Sequence, residues 1–132
     1  MRAAAAPIVL LLAGCAATPS PDSWKPPVGA TGVFDAEPGA APGHRLMVTD
    51  LTLGADAVGA AHSHPWEEYL YILEGSAVLA IENEQPRMLR AGDKVTIPAR
   101  MVHTPTAGPD GVRAIVTRLH DAGDPVRILA QP

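Results

Sequence analysis

Two histidines separated by one residue are the first feature of this sequence that could do chemistry. His62 and His64 are followed closely by a pair of carboxylates, Glu67 and Glu68. On an extended backbone, alternate side chains project from the same face. The Cα atoms of the two histidines are then roughly 6.5 Å apart, which lets both imidazoles bind one ion. This spacing predicts a metal site.

The carboxylate of this site depends on a turn. A straight strand would carry Glu68 roughly 13 Å beyond His64, too far to share an ion. Pro65 lies between them and has no amide hydrogen for a sheet, so it favours a break in the strand. We therefore predict a strand that ends at His64, a turn at Pro65 and Trp66, and a new strand that begins at Glu68. The turn brings Glu68 back towards the imidazoles, while Glu67 points outward.

The elements that position these residues are predicted to be short β-strands, separated by Gly, Pro and Asp. Gly75 is interpreted as a hairpin turn and residues 107–111 as a loop, and Pro86 indicates an edge strand. Sustained helical periodicity is not found outside the N-terminus, and many short strands at turn spacing indicate an all-β sandwich or barrel. The predicted strands are 46–53, 57–64, 68–74, 76–82, 85–90, 94–97, 102–106, 113–120 and 126–129.

The N-terminus has the pattern of a processing signal. Residues 1–14 carry one basic residue and a short apolar run, which ends in small residues directly before Cys15. This resembles a bacterial lipoprotein signal, in which Cys15 would carry the lipid; the alternative is a secretory signal with an incidental cysteine. We therefore expect a signal at 1–14, a proline-rich flexible tether at 15–32 and one folded domain at 33–132. The expected location is the bacterial cell envelope, as a periplasmic or outer-membrane lipoprotein.

Composition limits the chemistry and the partners. The chain has one cysteine, so the folded domain is expected to have no disulfide and no thiol catalysis, and a metal must be held by nitrogen and oxygen ligands. The formal net charge is −4 and there is no basic cluster, which argues against nucleic-acid binding. Contact with a membrane is expected only through the N-terminal lipid.

The strand after Glu68 bears on assembly. One of its faces carries Leu70 and Ile72, on the side of the metal, and the other carries Tyr69 and Tyr71 together with Leu73. Because both faces are apolar, both should be covered. The cover is either a second sheet layer or another subunit, and we predict a homodimer.

Two motifs in order resemble the cupin superfamily. The first is His-x-His, three residues, Glu, six residues and Gly, and the second is Gly, five residues, Pro and then His. The resemblance covers residues 44–120 and is carried by His62, His64, Glu68, Gly75, Gly92, Pro98 and His103. Asp56 and Arg100 stand where the family has Gly, and Ala107 where it has Asn. A turn that needs a positive φ tolerates Arg poorly, so either the turn at Arg100 is remodelled or its side chain points at the cavity.

The resemblance implies a small single-domain cupin: an antiparallel double-stranded β-helix, or jelly roll, closed into a barrel around one metal ion, without substantial helices. Its ligands would be His62, His64, Glu68 and His103, and the cofactor would be one divalent transition metal: Fe, Mn, Ni, Cu or Zn. Four protein ligands would leave one or two positions open for a small molecule. Candidates for the wall of the pocket are Trp66, Leu70, Ile72 and Arg100. His44 and His120 match neither motif and are expected at the surface.

Three functions fit such a site. The preferred one is a mononuclear non-haem metal oxygenase or related oxidoreductase that acts on a small molecule. The others are a non-catalytic module that binds a metal or a small molecule at the cell envelope, and a metal-dependent isomerase or lyase. The fold cannot choose among them, because one scaffold supports many chemistries.

Overall fold

The computed structural model describes residues 26–131, and all of its regular secondary structure is β. The expected signal peptide and Cys15 lie outside the described residues. No helix in this part of the chain is long and apolar enough to cross a membrane. The strands are β1 (Gly29–Ala36), β2 (His44–Leu53), β3 (His62–Ser63), β4 (Glu68–Ile81), β5 (Arg87–Arg90), β6 (Lys94–Ile97), β7 (His103–Asp121) and β8 (Ile128–Leu129).

These strands form one antiparallel sheet that curls into a jelly roll. Its main path runs β1-β2-β7-β3-β8, and β4 pairs with β7 on one edge and with β5 and β6 on the other. The aliphatic core lies inside the curl and is built from alternate residues of the long strands, because those residues share the inward face. Its most deeply buried members are Ile72, Leu79 and Ile97. The all-β prediction is confirmed.

The hairpin predicted at Gly75 is wrong. β4 continues through this position, and both of its halves pair with β7, from Tyr69 opposite Thr117 to Ile81 opposite His103. Gly75 has φ 71°, and the register shifts on either side of it. A left-handed glycine suits a hairpin and a bend within a strand equally well, so the residue type indicated the irregularity but not the direction of the chain.

The prediction of a loop at residues 107–111 is also wrong. These residues belong to the continuous strand β7, although its register against β4 jumps from Val112 to Ala107. Gly111 has φ 78° and lies against Gly75: a Cβ atom on Gly75 would be 2.1 Å from the carbonyl oxygen of Gly111. The two glycines allow β4 and β7 to cross closely where the sheet bends. We call this region, together with Asp50 and Arg113, the closed end of the domain.

Two other strand boundaries differ from the sequence expectation, and the predicted edge strand is found. β1 begins at Gly29, so residues 29–32, assigned to the tether, pair with β2. Residues 57–61 are not a regular strand and make only an isolated bridge at Val58, although they run beside β7. β5 pairs with β4 alone, as expected for the edge strand that Pro86 indicates.

Candidate metal centre

The three histidines of the two motifs meet at one end of the curled sheet. His62 in β3 pairs directly with His103 at the start of β7. A bend at Pro65 and Trp66 then separates β3 from β4, as predicted. One nitrogen from each of His62, His64 and His103 lies within 4.8 Å of the others, and the ring centroids are 4.3 to 5.4 Å apart. The sequence motifs therefore converge in space.

Each of these imidazoles is oriented by a backbone carbonyl. The Nδ1 atom of His62 bonds to the oxygen of Ala60 at 2.7 Å, and that of His103 bonds to the oxygen of Met101 at 3.1 Å. Nδ1 of His64 bonds to the oxygen of Val126, which comes from the far end of the described chain. A carbonyl can only accept, so each Nδ1 carries the proton and each Nε2 keeps its lone pair. This is the arrangement that metal-binding histidines use.

The Nε2 atoms fit a metal for a second reason. Nε2 of His64 and Nε2 of His103 are both buried, and neither has a hydrogen-bond partner among residues 26–131. Unpaired polar atoms in a protein interior are unfavourable unless something else binds them. Two buried lone pairs and a third beside them suit a divalent cation held by nitrogen ligands. The residues present therefore fit the metal that the sequence predicts.

Protonation favours the same chemistry. Burial lowers the pKa of His62 from 6.5 to about 4, although its hydrogen bond to Ala60 acts in the opposite direction. Burial also lowers the pKa of His103, more than its bond to Met101 and the charge of Glu68 raise it. Both imidazoles are therefore neutral near pH 7, as a metal ligand must be.

Glu68 opens β4 and lies beside the three histidines. Its Oε2 atom lies 2.8 Å from Nε2 of His64, and its Oε1 atom lies 3.7 Å from Nε2 of His103. Burial would raise the pKa of Glu68, but the contact with His64 and the charge of Arg118 outweigh burial and hold the pKa below its ordinary value. Glu68 is thus a buried carboxylate in its anionic form. Glu67, the rival, is exposed and accepts a hydrogen bond from Tyr69.

Arg118 is the site residue that sequence reasoning missed. It lies in β7, next in register to Glu68 because Tyr69 pairs with Thr117, and its Nε atom is 3.2 Å from Oε2 of Glu68. The side chain is 11% exposed, and burial lowers its pKa despite the charge of Glu68. The strand alternation could have identified it. Arg118 lies on the same face of β7 as Ala114 and Val116, so it is a charged residue on the buried face of the strand.

The histidines open into a cavity of about 740 Å³ inside the curl of the sheet. Its wall combines the polar groups of the centre with apolar side chains from β2, β4 and β7. The charged lining residues are Glu68, Arg118 and Arg127, and the rest of the wall is small, neutral or apolar. A cavity of this volume suits a small organic molecule.

The four predicted pocket residues are placed differently from one another. Leu70 lines the cavity, whereas Ile72 is 2% exposed and packs into the hydrophobic core. Trp66 is not part of the cavity wall: its Nε1 atom donates to Asp124 at 3.1 Å, and its ring centroid lies 4.1 Å from that of His120. Trp66 thus fastens residues 124–131, a segment that also supplies the Val126 carbonyl and strand β8. We call this segment the strap.

Arg100 is exposed and does not line the cavity. Its turn is not remodelled: Arg100 has φ 66° and Asp56 has φ 55°, so both positions where Gly was expected keep a left-handed backbone. The amide of Arg100 donates to the carbonyl oxygen of His64 at 2.7 Å. The strained turn therefore supports the backbone of a histidine of the centre.

The surface position expected for His120 is wrong. His120 is 2% exposed, on the inward face of β7 beyond Arg118, and its ring is covered by Trp66. His120 shares the parity of Val116 and Arg118 along β7, so the strand alternation indicated its burial although no motif includes it. His44, by contrast, is partly exposed and lies 3.2 Å from the carboxylate of Asp121.

Comparison with known proteins agrees with this geometry. The family described as Cupin domain matches residues 49–117, which include all three histidines and Glu68. The chain is a cupin. No curated protein sequence matches it.

Solved cupin structures share the fold at low sequence identity. Oxalate decarboxylase from Bacillus subtilis is 20% identical with a TM-score of 0.59, over 66% of this chain and 24% of that one. The DMSP lyase DddQ from Ruegeria pomeroyi is 23% identical, with a TM-score of 0.59 over 79% of this chain and 53% of that one. A cupin-like protein from Thermotoga maritima is 19% identical, with a TM-score of 0.59 over 76% and 74%. The chain therefore spans about a quarter of the length of the oxalate decarboxylase.

Proposed function

We propose that this cupin binds one divalent transition metal through His62, His64, His103 and Glu68 and uses it to oxidise a small molecule in the cavity. The observation that carries the proposal is the convergence of three imidazoles, each with its Nδ1 atom fixed by a carbonyl, on a space beside a buried carboxylate. Fe, Mn, Ni, Cu and Zn all suit such mixed ligands. Another structure of the Bacillus subtilis oxalate decarboxylase is described by its Mn(II) centres, which supports a metal of this class.

The chain's own residues would contribute binding and orientation. The carbonyls of Ala60, Met101 and Val126 hold the imidazole tautomers, and the low pKa of Glu68 keeps this group anionic. When bound, the metal would supply Lewis acidity and, for a redox-active ion, electron transfer. The apolar wall of the cavity would limit access of water to the reacting molecule.

Elemental analysis tests the metal. Purified wild-type protein is expected to carry close to one equivalent of a transition metal, and a His62→Ala/His64→Ala double variant almost none. Matched folding of the two proteins is checked by circular dichroism. Equal, negligible metal in both, also after incubation with each of the five ions, would contradict the proposal.

A metal-dependent lyase is the second candidate. It is favoured by two of the structural relatives, which are described as a decarboxylase and as a lyase. Oxygen uptake separates the two candidates: an oxygenase requires O2 consumption coupled to product, whereas a lyase forms product at the same rate without O2. Thermal stabilisation by a small molecule that is never converted would instead indicate a binding module.

We also propose that Cys15 anchors the protein to the bacterial cell envelope. The supporting feature is the position of Cys15 directly after a short apolar run and small residues. Expressed in bacteria from the full chain, the protein should incorporate radiolabelled palmitate, and a Cys15→Ser variant should not. Equal labelling of both would refute the anchor.

A homodimer remains part of the proposal. Tyr69 and Tyr71 on the outer face of β4 are 46% and 48% exposed, so the described chain does not itself cover this apolar face. Analytical ultracentrifugation is expected to give twice the mass of the chain, and a Tyr69→Glu/Tyr71→Glu variant to give a monomer. A wild-type monomer at all accessible concentrations would exclude it.

A further inference from the structure

The cavity reverses the charge of the protein. The whole chain has a formal net charge of −4, but the charged residues of the cavity wall are two arginines, Arg118 and Arg127, and one carboxylate, Glu68. The wall therefore carries a net positive charge before any metal adds its own. A concave, partly apolar surface strengthens such a field, which attracts anions. The ligand of this cavity is expected to be negatively charged.

Arg118 has unused capacity to bind an anion. The residue is 9% exposed, its Nε atom has no hydrogen-bond partner among the described residues, and its Nη1 atom reaches the Val126 oxygen only at 3.5 Å. The Nε atom lies near Glu68, but not in hydrogen-bonding geometry. A buried guanidinium with free donors suits a planar acceptor such as a carboxylate, which can accept two parallel bonds.

The rest of the wall is mostly apolar and extends away from this charge. Met47 on β2 pairs opposite Arg118, and the uncharged Thr49, Leu51 and Leu53 follow at alternate positions towards the closed end. Leu70 and Val116 lie on the neighbouring strands and are uncharged, as are the β2 residues. Burial lowers the pKa of Arg118, and Arg127, the other arginine of the wall, is close enough for its charge to lower this pKa as well, so the positive charge is gathered at one end. The cavity volume of about 740 Å³ is also larger than the volume of a compact dicarboxylate. Only one end of the ligand is expected to be ionic.

We propose that the cavity binds a monocarboxylate with an apolar body, whose carboxylate group is received by Arg118 next to the three histidines. This deepens the proposed function and rests on it only for the metal, because Arg118 and the apolar wall belong to the chain itself. The apolar body lies along β2, and the carboxylate end meets the metal-binding groups. The class includes short fatty acids and arylalkanoic acids.

Titration calorimetry with hexanoate tests the proposal, using full-length protein both free of metal and loaded with Zn²⁺. Hexanoate is expected to bind, hexanamide to bind at least about tenfold more weakly for lack of the charge, and oxalate to bind more weakly than hexanoate. From acetate to hexanoate, affinity is expected to rise roughly fourfold for each methylene. Phenylacetate and hexanoate distinguish an aryl from an alkyl body.

Substitution of two arginines, one inside the cavity and one outside it, tests the role of Arg118. Arg118→Gln is expected to lower hexanoate affinity at least about tenfold, whereas Arg87→Gln, which removes an exposed arginine of β5 outside the cavity, should leave it within about twofold. Arg118→Lys keeps the charge and serves in place of Arg118→Gln should that variant not fold. The Lys variant is expected to bind hexanoate less tightly than wild type, because the planar guanidinium group is lost.

Three results would overturn the inference: no hexanoate binding at millimolar concentration, equal binding of hexanamide, or unchanged affinity in both Arg118 variants. The proposed function fails separately. If the protein takes up no metal but the metal-free form still binds hexanoate through Arg118, the metal chemistry falls and the carboxylate site stands. If metal binds through the histidines but hexanoate does not bind, the carboxylate site is excluded and the metal site stands.

Discussion

Strand β7 carries two arginine–carboxylate contacts, of which only one is hydrogen-bonded. At the closed end, Arg113 holds Asp50 with three hydrogen bonds, the shorter two being Nε to Oδ1 at 3.0 Å and Nη2 to Oδ2 at 2.7 Å. At the metal end, Nε of Arg118 approaches Glu68 at 3.2 Å but forms no hydrogen bond. The hydrogen bond to Asp50 raises the pKa of Arg113, whereas burial lowers that of Arg118.

The comparison indicates that the Arg113–Asp50 pair stabilises the fold, whereas Arg118 and Glu68 are available for function. At the closed end the carboxylate of Asp50 is already paired with Arg113, so this pair needs no ligand, and the two glycines pack backbone against backbone. The metal end leaves two imidazole nitrogens and an arginine nitrogen unpaired in the interior. Proteins rarely leave buried polar atoms unpaired unless something else binds them. The unsatisfied end is therefore where function is expected, and substitutions at the two ends should have different consequences.

Loss of the metal ligands should give the largest effect. In a His103→Ala variant the metal-binding set loses one of its three nitrogens, and metal affinity is expected to fall by at least about a hundredfold. The melting temperature of the metal-free protein should change far less than metal affinity. Competition with a chromophoric chelator measures the affinity. Undiminished affinity would show that the ion, if any, lies elsewhere.

Gly75→Ala should damage the closed end most. The new Cβ atom would meet the Gly111 oxygen at 2.1 Å on a backbone with φ +71°, so we expect a loss of roughly 3 kcal/mol or more in unfolding free energy. Gly92→Ala is the matched control: φ is +90°, but nothing lies within 4 Å, and the expected loss is about 1–2 kcal/mol. Urea denaturation of the metal-free proteins compares them. Similar losses would mean that the crossing of β4 and β7 relaxes easily.

Two amide replacements compare the carboxylates directly. Glu68→Gln should weaken metal binding at least about tenfold, since it removes the anionic ligand. Asp50→Asn should leave metal binding unchanged and lower the melting temperature by several degrees, because Arg113 loses its charged partner. Chelator competition and differential scanning calorimetry give the two readouts. If both replacements lowered metal affinity equally, the closed end and the metal end would not differ in function.

The metal-free protein should lose stability in mild acid. Folded His62 stays neutral down to about pH 4, but in the unfolded chain it binds a proton near its ordinary pKa of 6.5. The unfolded state therefore binds more protons between these values, and stability falls as pH falls through this window. The lowered pKa of Glu68 adds a loss of the same sign below about pH 4.5. A His62→Asn variant should show a shallower decline in melting temperature; parallel profiles would place the proton uptake at another group.

The smallest effect is expected at the strained turn. Arg100→Gly relieves a left-handed residue whose side chain is exposed, while its amide can still donate to His64. Unfolding free energy should rise by up to about 1 kcal/mol or stay unchanged, with the same metal affinity. A marked loss of metal binding would show that the Arg100 side chain acts at the centre after all.

Local spacing predicted the part of the site that is local. His62, His64 and Glu68 follow from strand alternation and the break at Pro65, and His103 followed from the second motif. Arg118 could not be singled out in the same way, because its partner Glu68 is on another strand and only the register of β4 against β7 brings them together.

The errors in the fold have a similar cause. The sequence predicts an irregularity at Gly75 and at residues 107–111, and the pairing is irregular at both, but whether a chain reverses or bends at a glycine depends on which strand pairs with it afterwards. The strap was predicted only as a closing strand at 126–129. Its carbonyl contact with His64 involves the backbone of Val126, and backbone groups leave no trace in residue type.

The strap also bears on the order of folding. Its bonds join residues far apart in sequence: His64 to Val126 across 62 positions and Trp66 to Asp124 across 58. The entropy of closing so long a loop is lost before these contacts form, which makes them late events in folding. Contacts absent from the transition state act mainly on the unfolding rate. We therefore expect a bound metal to prolong the lifetime of the native protein while leaving its refolding rate almost unchanged.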